Sequence, residues 1–309
     1  MAQLPSTKLV EPFGEVNVLP QADGSLRIRA TILMVPNVEG AQTGLAIDGS
    51  ASMKDTFGGG GAVSAIFAPS MPNVVEPVAR TLASYLANFG SSGKTNVIYW
   101  ACGPGGTQIQ ELGELDVAAA KTKAFAAPKQ YGTGTKLLPA IKYFTETKYP
   151  DSPWSIFVVI TDGLIEDLAE VQKYSLDLAG QLASGKRGFL KLVLIGVGAE
   201  VDEGQMEALD DLDYGGLKLP SGDAVDIWDH KLAAEMQKIE EIFAEVVSAN
   251  IVLCPTAEIL DSNGTAVKPI GRASYGDGLP ALIEFTMPAS SNAFTLVLPG
   301  GKKIAQTIV

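Results

Sequence analysis

Between residues 43 and 249, short runs of β-branched and aromatic residues alternate with longer stretches whose apolar positions recur at helical spacing. The strand-like runs cover residues 43–48, 95–101, 107–112, 155–161, 189–197 and 224–228. The helix-like stretches cover residues 74–89, 116–125, 137–147, 167–183, 203–209 and 230–248. Some strands are apolar on both faces, as in Ile156-Phe-Val-Val-Ile160, which is the pattern of a parallel sheet covered by helices on both sides. The alternation predicts an α/β domain with a doubly wound, mainly parallel sheet.

The flanks follow a different rhythm. Two strand-like runs, 14–19 and 26–35, are separated by the turn signal Gln21-Ala-Asp-Gly24. Residues 251–309 show strands at 251–254, 257–260, 281–287, 293–298 and 303–309, punctuated by Asp261-Ser-Asn-Gly264, Gly276-Asp-Gly278 and Pro299-Gly-Gly301. Two strands alone cannot hold a core, so both ends of the chain are expected to join in one antiparallel β-sandwich. The expected organisation is a discontinuous β-sandwich of residues 1–40 and 250–309, with residues 41–249 inserted as the α/β domain. No internal repeat is evident, and the one low-complexity stretch is the glycine run Gly58 to Gly61.

Composition narrows the partners. The 309 residues carry 35 Asp and Glu against 23 Lys and Arg, a formal net charge of −12 on a 46% hydrophobic background. Such an acid excess repels phosphate backbones and anionic lipid, so neither nucleic acid nor membrane is expected as a partner. No apolar run approaches the ~20 residues of a membrane helix. The N-terminal Met-Ala-Gln-Leu-Pro-Ser-Thr-Lys has neither the basic nor the apolar region of a secretory signal, which leads to the expectation of a cytoplasmic protein. Cys102 and Cys254 both sit beside strand-like sequence and are expected to be buried free thiols. The single histidine, His230, is expected at the start of the helix at 230–248 with Asp229 as its N-cap.

Candidate chemistry gathers where strands end. The first α/β strand ends Asp48-Gly-Ser50-Ala-Ser52, putting a carboxylate and two hydroxyls in one turn. The strand at 155–161 ends in Asp162-Gly163, and a glycine-rich loop, Tyr131-Gly-Thr-Gly134-Thr135, adds a hydroxyl before a helix expected to begin near Lys136. Ligands of open parallel sheets bind at the carboxyl ends of the strands, near the topological switch point. Two carboxylates there need a neutralising cation. Oxygen-only donors favour a hard divalent ion, and with so little protein charge Mg²⁺ retaining waters fits better than a Ca²⁺ cage, with Mn²⁺ a further alternative.

Asp48-x-Ser50-x-Ser52, Gly134-Thr135-x-Leu137 and Ile160-Thr-Asp162-Gly163 together resemble the metal-ion-dependent adhesion site of von Willebrand factor type A domains, which have a Rossmann-like fold. The resemblance spans about residues 43–249 and extends to Gly215-Gly216 before the last strand. It implies that Ser50 and Ser52 bind the metal directly, Thr135 directly or through water, and Asp48 and Asp162 mainly through waters. It also implies an open coordination position for a carboxylate of a partner protein. Intracellular bacterial proteins similar to this often act as adaptors to AAA+ ATPases, in chelatase-like complexes or in stress-response systems. The expectation is thus a non-enzymatic, metal-dependent protein-binding module without catalytic residues. The last helix, leading into the sandwich, would be placed to couple the two.

Residues 53–73 form a longer connection than is usual in that family. They make either a flap whose Phe57, Phe67 or Met71 touches a partner, or a loop whose apolar residues tuck against the sheet edge. Other signals carry less. Gly93-Lys94-Thr95 lacks the P-loop glycine five positions earlier, where Asn88 stands, and runs into a strand instead of a helix. A phosphatase-like hydrolase with Asp48 as nucleophile would want a general acid two residues later, where Ser50 stands. The acidic segment 200–213 reads as a solvated face. A remaining alternative is a scaffold that binds through its sandwich while the metal is structural.

Overall fold

The computed structural model describes residues 2–32, 34, 39–59, 72–162, 164–198, 201–220, 222, 224–235, 252–276 and 278–308. The chain divides into two compact units, Met1–Val38 with Glu240–Val309, and Glu39–Ile239. The N-terminal strands are β1 (Ala2–Gln3), β2 (Phe13–Pro20) and β3 (Ser25–Ile32). β2 and β3 form an antiparallel hairpin, with Val18 opposite Ile28. Its turn uses Gly24 at φ 80° and the Asp23 carboxylate, which accepts from the Ser25 N–H at 2.9 Å.

The larger unit is built on a six-stranded sheet of β4 (Gln42–Asp48), β5 (Lys94–Cys102), β6 (Gln108–Asp116), β7 (Trp154–Thr161), β8 (Phe189–Gly196) and β9 (Trp228–Leu232). The order is β6-β5-β4-β7-β8-β9, and every pairing is parallel except β5 with β6. The helices are α1 (Val75–Phe89), α2 (Val117–Thr122), α3 (Leu138–Lys142), α4 (Leu168–Ala183) and α5 (Glu203–Asp210). α3 continues into a wider π-helical turn, Tyr143–Lys148. In α1, Val75, Ala79, Leu82, Ala83 and Leu86 are buried, and in α4 Val171, Ser175, Leu178, Ala179 and Leu182 are; both sets recur at helical spacing. β7 is buried along its whole length, which explains its unbroken apolar run.

This topology creates the switch point. From β4 the chain builds outward to β5 and β6, then returns to place β7 on the other flank of β4. Connections therefore leave the C-terminal ends of β4 and β7 in opposite directions and open a crevice between them.

The sequence expectation fails at the last strand. His230 lies on β9, not at a helix start, and β9 occupies 228–232 where a strand at 224–228 was expected. Asp229 caps nothing here; it pairs with Lys191 at 2.9 Å. The helical signal loses because β9 gains a full parallel ladder with β8 and buries Trp228, whose indole N–H donates to Ser175 Oγ at 2.8 Å. His230 Nδ1 instead lies 2.7 Å from Asp210 Oδ2. A short 3₁₀ turn, Ala233–Glu235, follows, and the rest of the expected helix to residue 248 lies outside the described residues.

The C-terminal strands are β10 (Val252–Cys254), β11 (Glu258–Asp261), β12 (Lys268–Pro269), β13 (Leu279–Pro280), β14 (Leu282–Pro288), β15 (Ala293–Val297) and β16 (Lys303–Thr307). β14 pairs with β3, so sheet β1-β2-β3-β14-β12 is assembled from both ends of the chain. A second sheet, β11-β15-β16, contributes Phe294, whose ring meets those of Phe13 and Phe285 edge-on at 5.2 Å. Antiparallel sheets from the N- and C-terminal strands thus flank the inserted α/β unit in sequence. Cys102 and Cys254 are both free and buried. Among the described residues, no helix is long and apolar enough to cross a membrane.

One polar group breaks the apolar rule of β8. Lys191 is fully buried, and its ammonium lies 2.8 Å from Asp226 Oδ2, 2.9 Å from Asp229 Oδ2 and 3.3 Å from the Trp228 carbonyl. Two carboxylates and a carbonyl thus surround the ammonium and pin the segment that enters β9. Burial pushes the Asp229 carboxyl up to about 7 against the pull of Lys191. Removing the acids strands a buried charge, whereas removing the lysine leaves acids that retain some contact with water. Asp226→Ala/Asp229→Ala should therefore lose about 3–5 kcal/mol and Lys191→Met clearly less. Urea unfolding at pH 8 reads the difference, and equal losses would refute the asymmetry.

Candidate metal centre

Asp48 ends β4 with no solvent exposure. The β4–β7 register pairs Ile47 with Ile160, so Asp48 stands beside Thr161, whose hydroxyl donates to Asp48 Oδ2 at 3.0 Å. The other oxygen, Oδ1, accepts from the Ser50 N–H at 2.8 Å. These two bonds favour the ionised form, but burial outweighs them, and the neighbouring Asp162 charge adds to it. Together they push the Asp48 carboxyl up to about 7.

Beyond Asp48 the chain turns through a short 3₁₀ segment, Ala51–Lys54. Ser50 is buried and Ser52 exposed, and their hydroxyl oxygens lie 2.9 Å apart. The glycine-rich loop reaches this turn through a parallel bridge between Ser50 and Gly132. The Ala51 N–H donates to the Gly132 carbonyl at 3.0 Å, and the Gly132 N–H to the Gly49 carbonyl at 2.9 Å. The same loop is tied to the end of β5: the Thr133 N–H donates to the Gly103 carbonyl, and Thr133 Oγ1 accepts from the Gly105 N–H at 2.8 Å. So close a crossing demands glycine, because a Cβ on Gly132 would strike the Ala101 carbonyl. Thr135, 4% exposed, emerges from this braced loop.

Asp162 leaves the end of β7 half-buried. Its Oδ1 is fully buried and, among the described residues, accepts no hydrogen bond. The following loop is fastened by the Ile165 N–H to Gln205 Oε1 at 2.7 Å and by the Glu166 N–H to the Thr135 carbonyl at 2.9 Å. Asp167 then sends its carboxylate back to the start of α3, which begins at Leu138 and not at Lys136.

Asp48, Ser50 and Ser52 thus lie in one turn, beside which the Thr135 loop is braced. Asp162 extends the strand next to Asp48 and is tied to the Thr135 loop through Glu166. Sequence reasoning did not single out Thr161, Asp167 or Gln205; the signal for Thr161 is its place one residue before a strand-end carboxylate. Phe57 is buried and packs edge-on against Tyr99 and Tyr131, so it tucks in, while Phe67 and Met71 lie outside the described residues.

The donor set suits a hard cation. Two hydroxyl oxygens 2.9 Å apart match adjacent corners of an octahedron with bonds of about 2.1 Å, the geometry Mg²⁺ demands. Among the described residues, the buried Asp162 Oδ1 is an acceptor without a donor. Among the described residues, no three His, Cys, Asp or Glu side chains converge as ligands, so a cation here would rely on hydroxyls as well as carboxylates. Beneath the turn, Cys102 is pushed up to about 11 by burial and by Asp48, which keeps its thiol protonated.

These features define a mixed, mainly parallel sheet with flanking helices, carrying hydroxyls and carboxylates at its switch point. No family model and no curated protein matches the chain. It is similar to two crystal structures of the pilus adhesin SpaC from Lactobacillus rhamnosus GG, one in an open conformation, at 11% and 10% identity and a TM-score of 0.40 in each case. The match covers 96% of this chain and 48% of the adhesin, so the chain spans about half the length of the structures it resembles.

A raised folded-state value fixes the sign of a pH effect. With Asp48 at about 7 when folded against an ordinary carboxylate value of 3.8, the metal-free fold binds the proton more tightly than the unfolded chain. The resulting stabilisation is complete below about 4 and is lost as pH rises through about 7. In EDTA, melting temperature should fall between pH 5 and pH 8, and the fall should be smaller in Asp48→Asn. Asp229 contributes a slope of the same sign, so the difference between the two proteins isolates Asp48. Identical pH profiles would exclude a proton-loaded Asp48.

Proposed function

We propose that this chain is a metal-dependent protein-binding module of the von Willebrand factor A type. Its cation would be held by Asp48, Ser50, Ser52, Thr135 and Asp162, with Mg²⁺ the preferred ion. The observation that carries the proposal is the buried Oδ1 of Asp162, without a hydrogen-bond partner among the described residues, at the end of the strand next to the buried Asp48 carboxylate. Two neighbouring carboxylates in a water-poor crevice repel each other, and a divalent ion is the direct remedy. When bound, the metal would supply a Lewis-acidic coordination position attractive to an aspartate or glutamate of a partner protein.

The chain's own residues prepare that position. Ser50 and Ser52 offer neutral oxygens, so little negative charge would be spent on the ion directly. Thr161 and the Ser50 N–H hold Asp48 in one orientation by occupying one lone pair on each oxygen. The braced 131–135 loop fixes Thr135 through its backbone hydrogen bonds. A neutral inner set backed by oriented carboxylates leaves the cation electron-poor toward an incoming acid.

A second reading keeps the metal structural and docks a partner on the terminal β-unit. One observation favours it: a groove of about 370 Å³ lined by Ile259, Val267, Pro269 and Tyr275 among others. Affinity capture from the native cell, with Mg²⁺ and with EDTA, separates the two. The metal-bridge reading expects partners to be lost in EDTA and with Ser50→Ala, while circular dichroism of the variant stays that of the wild type. Equal recovery under both conditions would favour docking on the β-unit.

A further inference from the structure

The carboxylate of Asp167 is out of place for its position in the chain. It precedes α4 as its N-cap residue, yet its side chain makes no bond to α4. Instead, Oδ1 accepts from the Leu137 N–H at 2.8 Å and Oδ2 from the Leu138 N–H at 3.0 Å, across to the first turn of α3. Leu137, at the N-cap of α3, has no side chain able to cap it. Asp167 is 7% exposed, so its carboxylate depends on these two donors in place of water.

The bonds form part of a clamp. Glu166, next to Asp167, donates its N–H to the Thr135 carbonyl at 2.9 Å. The Glu166 side chain also lies against this loop: a Cβ on Gly134 would sit 2.7 Å from Glu166 Oε2. Residues 166–167 thus grip residues 135–138 at three hydrogen bonds. One end of the clamp leads back to Asp162 and the other to Thr135. If Asp167 let go, two of the three bonds would be lost, and the carboxylate at the end of β7 and the hydroxyl before α3 would be held in a looser relation.

We propose that Asp167 is a positioning residue that holds the Thr135 and Asp162 donors in one fixed relation, setting the affinity of the site for a divalent cation. The proposal rests on the metal-binding reading given above. It differs from ordinary helix capping in reaching a ligand loop, and Asp116 provides the contrast. Asp116 caps α2 through the Ala119 N–H at 2.8 Å and, among the described residues, makes no hydrogen bond to the metal-site loops.

The test is a Mn²⁺ titration of the full chain, followed by the electron paramagnetic resonance signal of the free ion, with melting temperature in EDTA measured alongside. Asp167→Ala should weaken Mn²⁺ binding by about 10–100-fold, the range known for residues that orient metal ligands. Asp167→Asn keeps one carbonyl oxygen for one N–H and should fall between that variant and the wild type. Asp116→Ala should lower the melting temperature while binding Mn²⁺ as the wild type does. Wild-type affinity in Asp167→Ala would overturn the clamp, as would an equal loss of affinity in Asp116→Ala. If Asp167→Ala does not fold, Asp167→Asn decides alone, and wild-type affinity in it refutes the proposal. Wild-type protein that fails to bind Mn²⁺ at millimolar concentration would overturn the metal reading itself, a different result from loss confined to the variants.

Discussion

A carboxylate shut away from water must find its solvation in the protein, and Asp48 at the end of β4 is the group on which this structure turns. It receives a hydroxyl from the adjacent strand and an N–H from the turn that follows, and burial still pushes it toward its neutral form. Both donors depend on the sheet. The parallel register of β4 with β7 brings Thr161 alongside, and the turn that follows β4 aims the Ser50 N–H back at the carboxylate. A slip of one residue in that ladder would turn Asp48 to the opposite face and dismantle both. The apolar burial of β4 and β7 that secures the register is thus also what secures the polar end.

Around this group, rigidity comes from backbone-to-backbone crossings more than from side chains. The 131–135 loop is stitched to the Ser50 turn on one side and to the end of β5 on the other, at distances only glycine allows. Loops normally hold binding residues with some freedom. Here the hydroxyls sit on loops braced much as sheet strands are, so a ligand set would be preformed at little entropic cost.

Much of this was legible in the sequence because the relevant features are local. Asp48-x-Ser50-x-Ser52 announces itself beside an apolar strand, and the alternation of strands with helical stretches gives the layers and the mainly parallel sheet. What escaped depends on distant partners. Asp167 has the sequence position of a cap for α4, and nothing nearby reveals that it serves α3. The stretch Trp228-Asp-His-Lys-Leu232 carries a cap signal and a helical continuation, but its conformation is decided by β8 and by the buried Lys191. The lysine was itself a clue: a charge in the middle of the otherwise apolar Phe189–Gly196 run requires a counter-charge, and the two aspartates flanking Trp228 supply it.

The pairing of β3 with β14 has a consequence for how the chain is made. Arg27 and Glu284 lie 257 residues apart and hydrogen-bond across that pair at 2.8 Å. The β2–β3 hairpin therefore emerges from the ribosome with one edge open, and its neighbour is synthesised only after the whole α/β insertion. An α/β unit that folds first would shorten that wait in space if not in time, since a compact insert separates its ends far less than an unfolded chain of equal length. Residence on the ribosome would then be the period of greatest exposure to aggregation, and the short β1, laid along the outer edge of β2, is well placed to blunt the other side of the unfinished sheet.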